Sequence, residues 1–315
     1  MKKTAFLFPG QGSQSVGMAK DLYDEYDGVR ELFDMAGDLT KIHLDRLCFQ
    51  GPMEELTRTV VLQPAVTLVN LALLHVLRKE NVTPSLCAGH SLGEYSALCA
   101  ADVLSPQDTL KLVHQRGVLM DRESEKFTGT MCAVIGLSWD QVADVVSGFS
   151  QDGEGKAVTI ANHNGETQIV ISGDPDSVKK AGEKLKEQGG RVMPLKVSGA
   201  WHSPLIRGAV EEFGTVLDAC PFQAPSVPVV FNVTADVENN SGKIRVLMLD
   251  QLCSPVKWYD SMIRMLDDGV ETFVEVGPGN VLSGLLKRIV PEGFPGKIVP
   301  VNSMKSLELF FKDGI

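Results

Sequence analysis

Residues 86–101 have the sequence LCAGHSLGEYSALCAA, in which a short apolar run passes through Gly-His-Ser-Leu-Gly into a second apolar segment. The run 86–89 is typical of a buried strand, and 92–101 is typical of a helix. Glycines on both sides of Ser91 permit the tight turn of a nucleophile elbow, which exposes a serine hydroxyl above an α/β sheet. The start of the next helix would offer backbone N–H groups to an oxyanion. The stretch predicts Ser91 as a nucleophile, although G-x-S-x-G can also occur by chance in a chain with 30 glycines.

The two ends of the chain alternate between strand and helix patterns. Short apolar runs next to Gly or Pro predict strands, and apolar residues at helical spacing predict helices, the first of which would begin at Pro64. Strands are predicted at 6–8, 86–89, 272–276 and 298–301, and helices at 64–79, 92–101, 106–124 and 281–289. Such alternation predicts an α/β fold with a largely parallel sheet and helices on both faces.

The middle of the chain has a different order of elements. Strands are predicted at 131–137, 157–161, 168–172 and 191–197, and helices at 138–147 and 175–188. Ser138 is a typical helix N-cap, and the sequence Asn-His-Asn-Gly at 162–165 predicts the turn between the second and third strands. The resulting order β-α-β-β-α-β is that of the ferredoxin-like unit. We therefore expect a small ferredoxin-like domain at 129–197, inserted into a discontinuous large domain formed by 1–128 and 198–315.

Composition and charge exclude several classes of protein. The 315 residues include 30 Lys and Arg against 40 Asp and Glu, a net charge of −10, which argues against nucleic acid or an anionic membrane surface as a partner. None of the six cysteines forms a C-x-x-C pair, so free thiols in a reducing compartment are expected rather than disulfides or a metal site. The apolar stretch after Met1 is too short for a signal peptide, and no run approaches 18 apolar residues. We expect a cytoplasmic protein without a membrane span.

Two side chains are candidates for chemistry together with Ser91. A serine nucleophile needs a base, and His202 follows the last strand of the small domain, where the chain re-enters the large domain near the predicted cleft. Arg116 lies within an otherwise apolar helix, on the same side as Leu112 and Met120, where its planar guanidinium would bind a carboxylate with two hydrogen bonds. The residues alone identify no Asp or Glu that would orient His202.

The loop after the first strand is a further candidate. Residues 8–14 have the sequence FPGQGSQ, and loops at the carboxyl ends of parallel strands line the ligand crevice of an open α/β sheet. The loop lacks the glycine patterns of dinucleotide-binding and P-loop proteins. A contribution to an oxyanion hole is therefore favoured over nucleotide binding.

Several motifs occur in a fixed order along the chain. They are FPGQGSQ at 8–14, LQPA at 62–65, GHSLGE at 89–94, QRG at 115–117, HS at 202–203 and VGPG at 276–279. In this combination the whole chain resembles the malonyl-CoA:acyl carrier protein transacylase family of bacterial type II fatty acid synthesis. The resemblance implies a hydrolase-like, largely parallel sheet domain with an inserted ferredoxin-like domain. It also implies ping-pong transfer of malonyl from malonyl-CoA to the phosphopantetheine thiol of acyl carrier protein through a malonyl-serine intermediate.

The same resemblance implies roles for individual residues. Ser91 would carry the malonyl group, His202 would be its base, and Arg116 would hold the free carboxylate. The further roles implied are oxyanion-hole N–H groups at Gln11 and Leu92, pocket residues at Gln63 and Asn162, and a histidine-orienting backbone carbonyl at Gln251. Relatives often have Phe or Ser where this chain has Trp201, and the bulkier ring would crowd an α-methyl group and so favour malonyl over methylmalonyl.

The resemblance also implies an acidic protein partner. Acyl carrier proteins are strongly acidic, so a chain of net charge −10 needs a local basic surface to bind one. Residues 179–196 include six Lys and Arg but only two Glu, and a second basic pair, at 287–288, follows the VGPG motif. The predicted docking residues are Arg191, Lys196, Lys287 and Arg288. We expect a monomer that uses no metal and no cofactor, coenzyme A being part of the substrate.

Three alternatives stay open on the sequence alone. The same chemistry could serve a polyketide synthase or a malonate decarboxylase as a stand-alone acyltransferase. A serine esterase or thioesterase would instead need an Asp or Glu behind His202 and would have no use for Arg116. A catalytically silent docking module would not need the pairing of Ser91 with His202.

Overall fold

The computed structural model describes residues 3–149 and 157–312, and these form two separate β-sheets with helices around them. The strands are β1 (Lys3–Phe8), β2 (Leu86–Gly89), β3 (Thr130–Ile135), β4 (Val158–Gly165), β5 (Gln168–Gly173), β6 (Arg191–Pro194), β7 (Val229–Val230), β8 (Val270–Val276) and β9 (Lys297–Val301). The α-helices are α1 (Lys20–Glu25), α2 (Asp27–Thr40), α3 (Leu44–Gln50), α4 (Met53–Leu56), α5 (Thr59–Lys79), α6 (Gly93–Ala100), α7 (Pro106–Lys126), α8 (Trp139–Ser147), α9 (Pro175–Glu187), α10 (Val210–Asp218), α11 (Ser241–Asp250), α12 (Trp258–Asp267), α13 (Val281–Leu286) and α14 (Met304–Lys312). A 3₁₀ helix (Pro204–Ala209) precedes α10.

The larger sheet is parallel, with the strand order β7-β2-β1-β8-β9. Strand β1 is its centre, and its residues from Ala5 onward are at most 1% exposed. The strand is therefore apolar on both faces, as expected of a parallel strand covered by helices on both sides. Because the pairs Phe8–Gly89 and Leu7–Glu275 are in register, the carboxyl ends of β1, β2 and β8 lie at one edge of the sheet. The loops that follow these strands therefore meet there.

The smaller sheet is antiparallel, with the order β4-β5-β3-β6. This is the ferredoxin-like order, so the predicted α/β fold class is confirmed for both sheets. Helix α8 begins with a capping box, in which Ser138 and Gln141 satisfy each other's backbone N–H groups. The predicted turn at 162–165 is wrong, since these residues continue strand β4 and the turn consists of 166–167. Asn162 and Gly165 lie next to register irregularities in the pairing with β5, which accommodate these turn-forming residues within the strand.

Helix α5 begins five residues before the predicted start at Pro64. The proline lies inside the helix, where it removes one backbone hydrogen bond. Burial of the apolar residues from Val61 onward stabilises the helix despite that loss. In length and composition alone, α5 could cross a membrane (mean hydropathy 1.9), although polar residues interrupt its apolar sequence. However, 89% of that segment is buried within the fold, as in the core helix of a globular protein.

Strand β4 of the small sheet pairs with the loop that precedes α12. The backbone N–H of His163 donates to the Val256 carbonyl (2.8 Å), and the N–H of Val256 donates to the Ala161 carbonyl (2.8 Å). The imidazole of His90, beside the nucleophile, also bonds to Asn164 Oδ1 (2.7 Å). These contacts fix one wall of the cleft relative to the other. The predicted division of the chain at 129 and 197 stays a prediction.

Candidate active site

Ser91 lies on a tight turn between β2 and α6, as the GHSLG motif predicts. Its φ of +50° is a left-handed conformation that non-glycine residues seldom adopt. The flanking glycines are required by space, because a Cβ at Gly89 would lie 2.0 Å from the Gly93 carbonyl carbon. A Cβ at Gly93 would lie 1.9 Å from the Phe8 carbonyl oxygen. The motif therefore allows β1, β2 and α6 to approach closely at the edge of the sheet where Ser91 is presented.

His202 is hydrogen-bonded to Ser91, with 2.7 Å between Nε2 and the serine Oγ. On the other side of the ring, Nδ1 lies 2.9 Å from the backbone carbonyl of Gln251. A carbonyl oxygen only accepts, so Nδ1 carries the proton and Nε2 is left free to accept the serine proton. Burial, together with the positive charge of Arg116, lowers the pKa of His202 to about 3. The imidazole is thus neutral at physiological pH, in the tautomer that a general base requires.

Arg116 enters the same site from α7 and is 2% exposed. Its Nη1 donates to Gln63 Oε1 (3.0 Å), and its Nη2 donates to Gln251 Oε1 (3.2 Å). Nη2 also lies 3.4 Å from Ser91 Oγ, and no described residue accepts a bond from Nε. Burial lowers the pKa of the guanidinium. A buried cation with donors to spare, beside a serine hydroxyl, can bind a carboxylate.

The two predicted oxyanion donors flank the nucleophile. Gln11 and Leu92 both line the cavity above Ser91, and neither backbone N–H has a hydrogen-bond partner among residues 3–149 and 157–312. The loop of Gln11 lies against the elbow, since a Cβ at Gly10 would be 2.6 Å from the His90 carbonyl oxygen. Two unpaired N–H groups beside the serine are the arrangement that stabilises a tetrahedral oxyanion.

A cavity of about 280 Å³ opens above these groups, between the two sheets. Asn162 and Trp201 line it, as predicted. Gln63 does not, because it is 1% exposed and lies behind Arg116, whose guanidinium it holds. Apolar side chains form much of the remaining wall: Met120, Met131, Val170, Leu195, Val197 and Leu285. The cleft can accept a small group beside Ser91 and Arg116, with partly apolar atoms against the rest of its wall.

Two residues of the site were not among the predicted site residues. Asn232, fully buried, accepts from the Ser91 N–H (2.7 Å) and donates to the Gly89 carbonyl (2.7 Å). Glu94 is 1% exposed and accepts from the Asn232 N–H (2.6 Å) and from Gln251 Nε2. Nothing in the sequence around Asn232 indicates this role. For Glu94 a signal existed, because it is the one charged residue in the predicted helix 92–101.

All four predicted docking residues are exposed. Lys196 lies between Leu195 and Val197, both of which line the cavity. Lys287 and Arg288 directly follow α13, rather than lying within it, and Arg288 Nη1 donates to Gln168 Oε1 at 3.1 Å. Gln168 also lines the cavity. Lys196 and Arg288 therefore lie next to residues that line the cleft.

In residues 3–149 and 157–312, no cluster of three or more His, Cys, Asp or Glu side chains is placed to bind a metal ion. The six cysteines are unpaired, and burial raises the pKa of Cys48, Cys87 and Cys99, which makes these thiols unreactive.

Comparison with known proteins gives a consistent result. The family model described as acyl transferase domain matches residues 5–309. The malonyl CoA-acyl carrier protein transacylase of Bacillus subtilis (strain 168) is 43% identical over 92% of this chain and 91% of that protein. The protein of the same name from Haemophilus influenzae is 41% identical over 98% and 99%.

Solved structures also superpose on almost the whole of this chain. An acyl carrier protein S-malonyltransferase from Vibrio cholerae superposes with a TM-score of 0.92 at 39% identity, covering 98% of this chain and 99% of that one. A second structure is described as a type II PKS acyl-carrier protein in complex with its malonyl-transacylase. It superposes with a TM-score of 0.93 at 37% identity, over 99% and 100% of the two chains.

Proposed function

The chain belongs to the acyl transferase domain family, and on that premise we propose how its active site works. The protein is a malonyl-CoA:acyl carrier protein S-malonyltransferase of fatty acid biosynthesis. It moves the malonyl group from coenzyme A to the phosphopantetheine thiol of acyl carrier protein through a malonyl-serine intermediate. We assign each step of this transfer to a residue of this site.

One observation carries the assignment of roles. The Oγ of Ser91 lies 2.7 Å from the basic nitrogen of His202 and 3.4 Å from the guanidinium of Arg116. A nucleophile next to a base is common to many hydrolases and transferases. The buried guanidinium adds a requirement for a substrate that has both a reactive acyl carbon and a carboxylate a short distance from it. Malonyl thioesters meet this requirement, and neutral acyl thioesters do not.

In the first half-reaction, Arg116 pairs with the malonyl carboxylate and places the thioester carbon over Ser91. His202 Nε2 takes the hydroxyl proton as Oγ attacks the carbon, and the oxyanion of the tetrahedral intermediate accepts from the N–H groups of Gln11 and Leu92. The C–S bond then breaks. The proton passes from His202 to the departing sulfur, and coenzyme A leaves a malonyl ester on Ser91.

The second half-reaction reverses these steps with a different thiol. The phosphopantetheine thiol of the carrier protein gives its proton to His202 and attacks the ester carbon. The same N–H groups stabilise the second oxyanion, and Ser91 regains its proton as the C–O bond breaks. Arg116 holds the carboxylate throughout, so the acyl group keeps its position while one thiol replaces the other.

The group that orients His202 argues against the esterase alternative. A serine hydrolase of the usual kind has an Asp or Glu behind the histidine, whereas the partner of Nδ1 is the Gln251 backbone carbonyl. A neutral partner stabilises an imidazolium less than a carboxylate does. The similarity to a malonyl-transacylase of a type II polyketide system keeps service to a polyketide synthase as a second candidate for the pathway.

The mouth of the cleft is the proposed contact with the acidic carrier protein. Arg191, Lys196, Lys287 and Arg288 form this docking surface. We also propose that the enzyme is a cytoplasmic monomer, and the proposed mechanism calls on no metal or cofactor.

Intact-protein mass spectrometry after brief mixing with malonyl-CoA tests the proposal. The expected result is one malonyl adduct, located on Ser91 by peptide mapping and removed by holo acyl carrier protein. Ser91→Ala should form no adduct. A malonyl adduct that persists on the Ala variant would overturn the assignment of the nucleophile.

A further inference from the structure

Glu94 is a buried carboxylate that takes no part in the proposed half-reactions. It lies on the first turn of α6, three residues after Ser91, and is 1% exposed. Burial raises the pKa of its carboxyl group to about 8, even though the hydrogen bonds from Asn232 and Gln251 and the charge of Arg116 oppose that rise. Burying a carboxylate costs several kcal/mol unless its oxygens are well paired. A carboxyl group buried beside the nucleophile is therefore expected to have a role in the site.

Both oxygens of Glu94 accept hydrogen bonds from residues of the site. Oε1 accepts from the backbone N–H of Asn232 (2.6 Å), and Oε2 accepts from the side-chain amide Nε2 of Gln251. Because each partner is a donor, both carboxyl oxygens act as acceptors in this geometry. The network therefore holds Glu94 as an acceptor on both sides.

The bond from Gln251 fixes the orientation of that side-chain amide. Nε2 faces Glu94 and also donates to the Ser91 carbonyl oxygen (2.9 Å), while Oε1 accepts from Arg116 (3.2 Å). If the amide were reversed, its NH₂ would face the guanidinium and its oxygen would face two acceptors. Glu94 thus presents the Gln251 oxygen to Arg116. It also fixes the residue whose backbone carbonyl orients His202.

The hydrogen bond from the Asn232 N–H to Glu94 affects the nucleophile through the side chain of Asn232. The side chain of Asn232 accepts from the Ser91 N–H and donates to the Gly89 carbonyl, at 2.7 Å each. These two bonds span the turn that holds Ser91 at φ +50°, a conformation that persists only where its surroundings enforce it. By fixing the Asn232 backbone, Glu94 supports the strained turn.

We propose that Glu94 is a positioning residue for acyl transfer, whose two carboxyl oxygens align the serine, the histidine and the carboxylate-binding arginine through their bonds to Asn232 and Gln251. It reaches no substrate and carries no proton in the reaction. The inference rests on the proposed function, because it concerns the same half-reactions. Two readouts separate the inference from that function, since only one of them depends on activity.

Glu94→Gln is the most informative variant, because it preserves the size of the side chain and leaves only one acceptor oxygen for two donors. The rate of malonyl-serine formation, measured by rapid quench and intact mass, should fall about 100-fold, the scale expected for a misalignment of about 1 Å. The loss should appear with acetyl-CoA as well, because His202 and Ser91 serve both substrates. The ratio of malonyl to acetyl transfer should also fall, because Arg116 loses its fixed partner.

The second readout is the tautomer of His202, followed by ¹⁵N NMR of the ring nitrogens. The wild-type protein should show the proton on Nδ1 alone, and Glu94→Gln should show a mixture of the two tautomers. A purely structural role would not change this signal. The measurement needs no substrate, so it remains valid even if the wild-type protein forms no malonyl-serine, a result that would refute the proposed function instead.

Glu275→Gln is the matched control. Glu275 is also 1% exposed and also accepts two N–H bonds, from Leu282 (2.9 Å) and Ser283 (2.7 Å). Both bonds hold the start of α13 rather than the serine, the histidine or the arginine. The control should lower the melting temperature while leaving the His202 tautomer unchanged and acylation within about threefold.

If Glu94→Gln does not fold, Gln251→Met carries the test. It keeps the length of the side chain and the backbone carbonyl but breaks the bond to Glu94, so His202 should again show mixed tautomers and acylation should fall at least tenfold. When both variants fold, their effects on acylation should be less than additive in the double variant. A single tautomer together with acylation within threefold of wild type, in whichever variant folds, would overturn the proposal.

Discussion

Nη2 of Arg116 lies 3.4 Å from Oγ of Ser91. This distance is too short for a substrate whose carboxylate and reacting carbon are separated by a chain of several carbons. The guanidinium is buried beneath the cleft and is held by two glutamine oxygens. An incoming carboxylate must therefore bind next to the nucleophile itself. Selection for a short dicarboxylic acyl group thus follows from where the arginine is anchored on α7.

Replacing Arg116 by Ala should change selectivity more than it changes catalysis. Malonyl transfer should lose a charge-assisted pair that contributes about 2–5 kcal/mol, which corresponds to a fall in kcat/KM of more than tenfold. Transfer from acetyl-CoA should be retained or should increase, because the acetyl group has no carboxylate to pair. The comparison of kcat/KM for the two thioesters measures this. Equal losses on both would mean that Arg116 is only structural.

Asn232→Ala should release the strained turn of Ser91. The substitution leaves the Ser91 N–H and the Gly89 carbonyl without their buried partner, which should lower the free energy of unfolding by about 2–4 kcal/mol. The rate of malonyl-serine formation per folded molecule should fall at least tenfold. Urea denaturation and rapid-quench mass spectrometry provide the two values. A lower stability with an unchanged acylation rate would refute the role in the turn.

The protonation of His202 should be unresponsive to pH over the physiological range. Its pKa is lowered from an ordinary value near 6.5 to about 3 by burial and by Arg116. A lowered pKa means that the neutral, basic form persists as the pH falls from 7 to 5. The ¹⁵N shifts of the ring, assigned with the help of His202→Gln, should therefore stay constant over this interval. A titration with a midpoint near 6.5 would contradict the burial argument.

Carrier-protein docking should respond to charge at the end of α13. Changing both Lys287 and Arg288 to Glu should raise the apparent KM for acyl carrier protein, most steeply at low salt, and leave the malonyl-CoA half-reaction unchanged. Lys41→Glu combined with Lys111→Glu is the control, since it alters net charge equally at exposed positions on α7 and at the end of α2. If test and control variants behave alike, docking occurs elsewhere.

Much of the fold could be predicted because local patterns agree with it. Ser138 capping α8 and Ser105-Pro106 opening α7 are determined by nearby residues alone. Pro64 was misleading, because tertiary burial of the apolar residues before it outweighs the lost hydrogen bond. Strand β7 was not predicted, since two residues are too short to give a periodic signal.

The residues of the site also differ in whether the local sequence identifies them. Ser91 has a local motif, and its role could be predicted without the fold. His202 was placed by the position of the chain between the domains, while the role of Gln251 came only from resemblance to a family. Asn232 could not be found from sequence, because its side chain acts on a turn 141 residues away along the chain.

The central position of β1 has a consequence during synthesis on the ribosome. Its two neighbours in the sheet are β2 and β8, and β8 begins only at Val270. The carbonyl that orients His202 belongs to Gln251. Nascent chains stalled before that residue should therefore form no malonyl ester when malonyl-CoA is present. Contacts between such distant residues also form slowly. The site is therefore complete only after residues 251–276 have been synthesised and folded, and fragments that end before Gln251 should not consume malonyl-CoA.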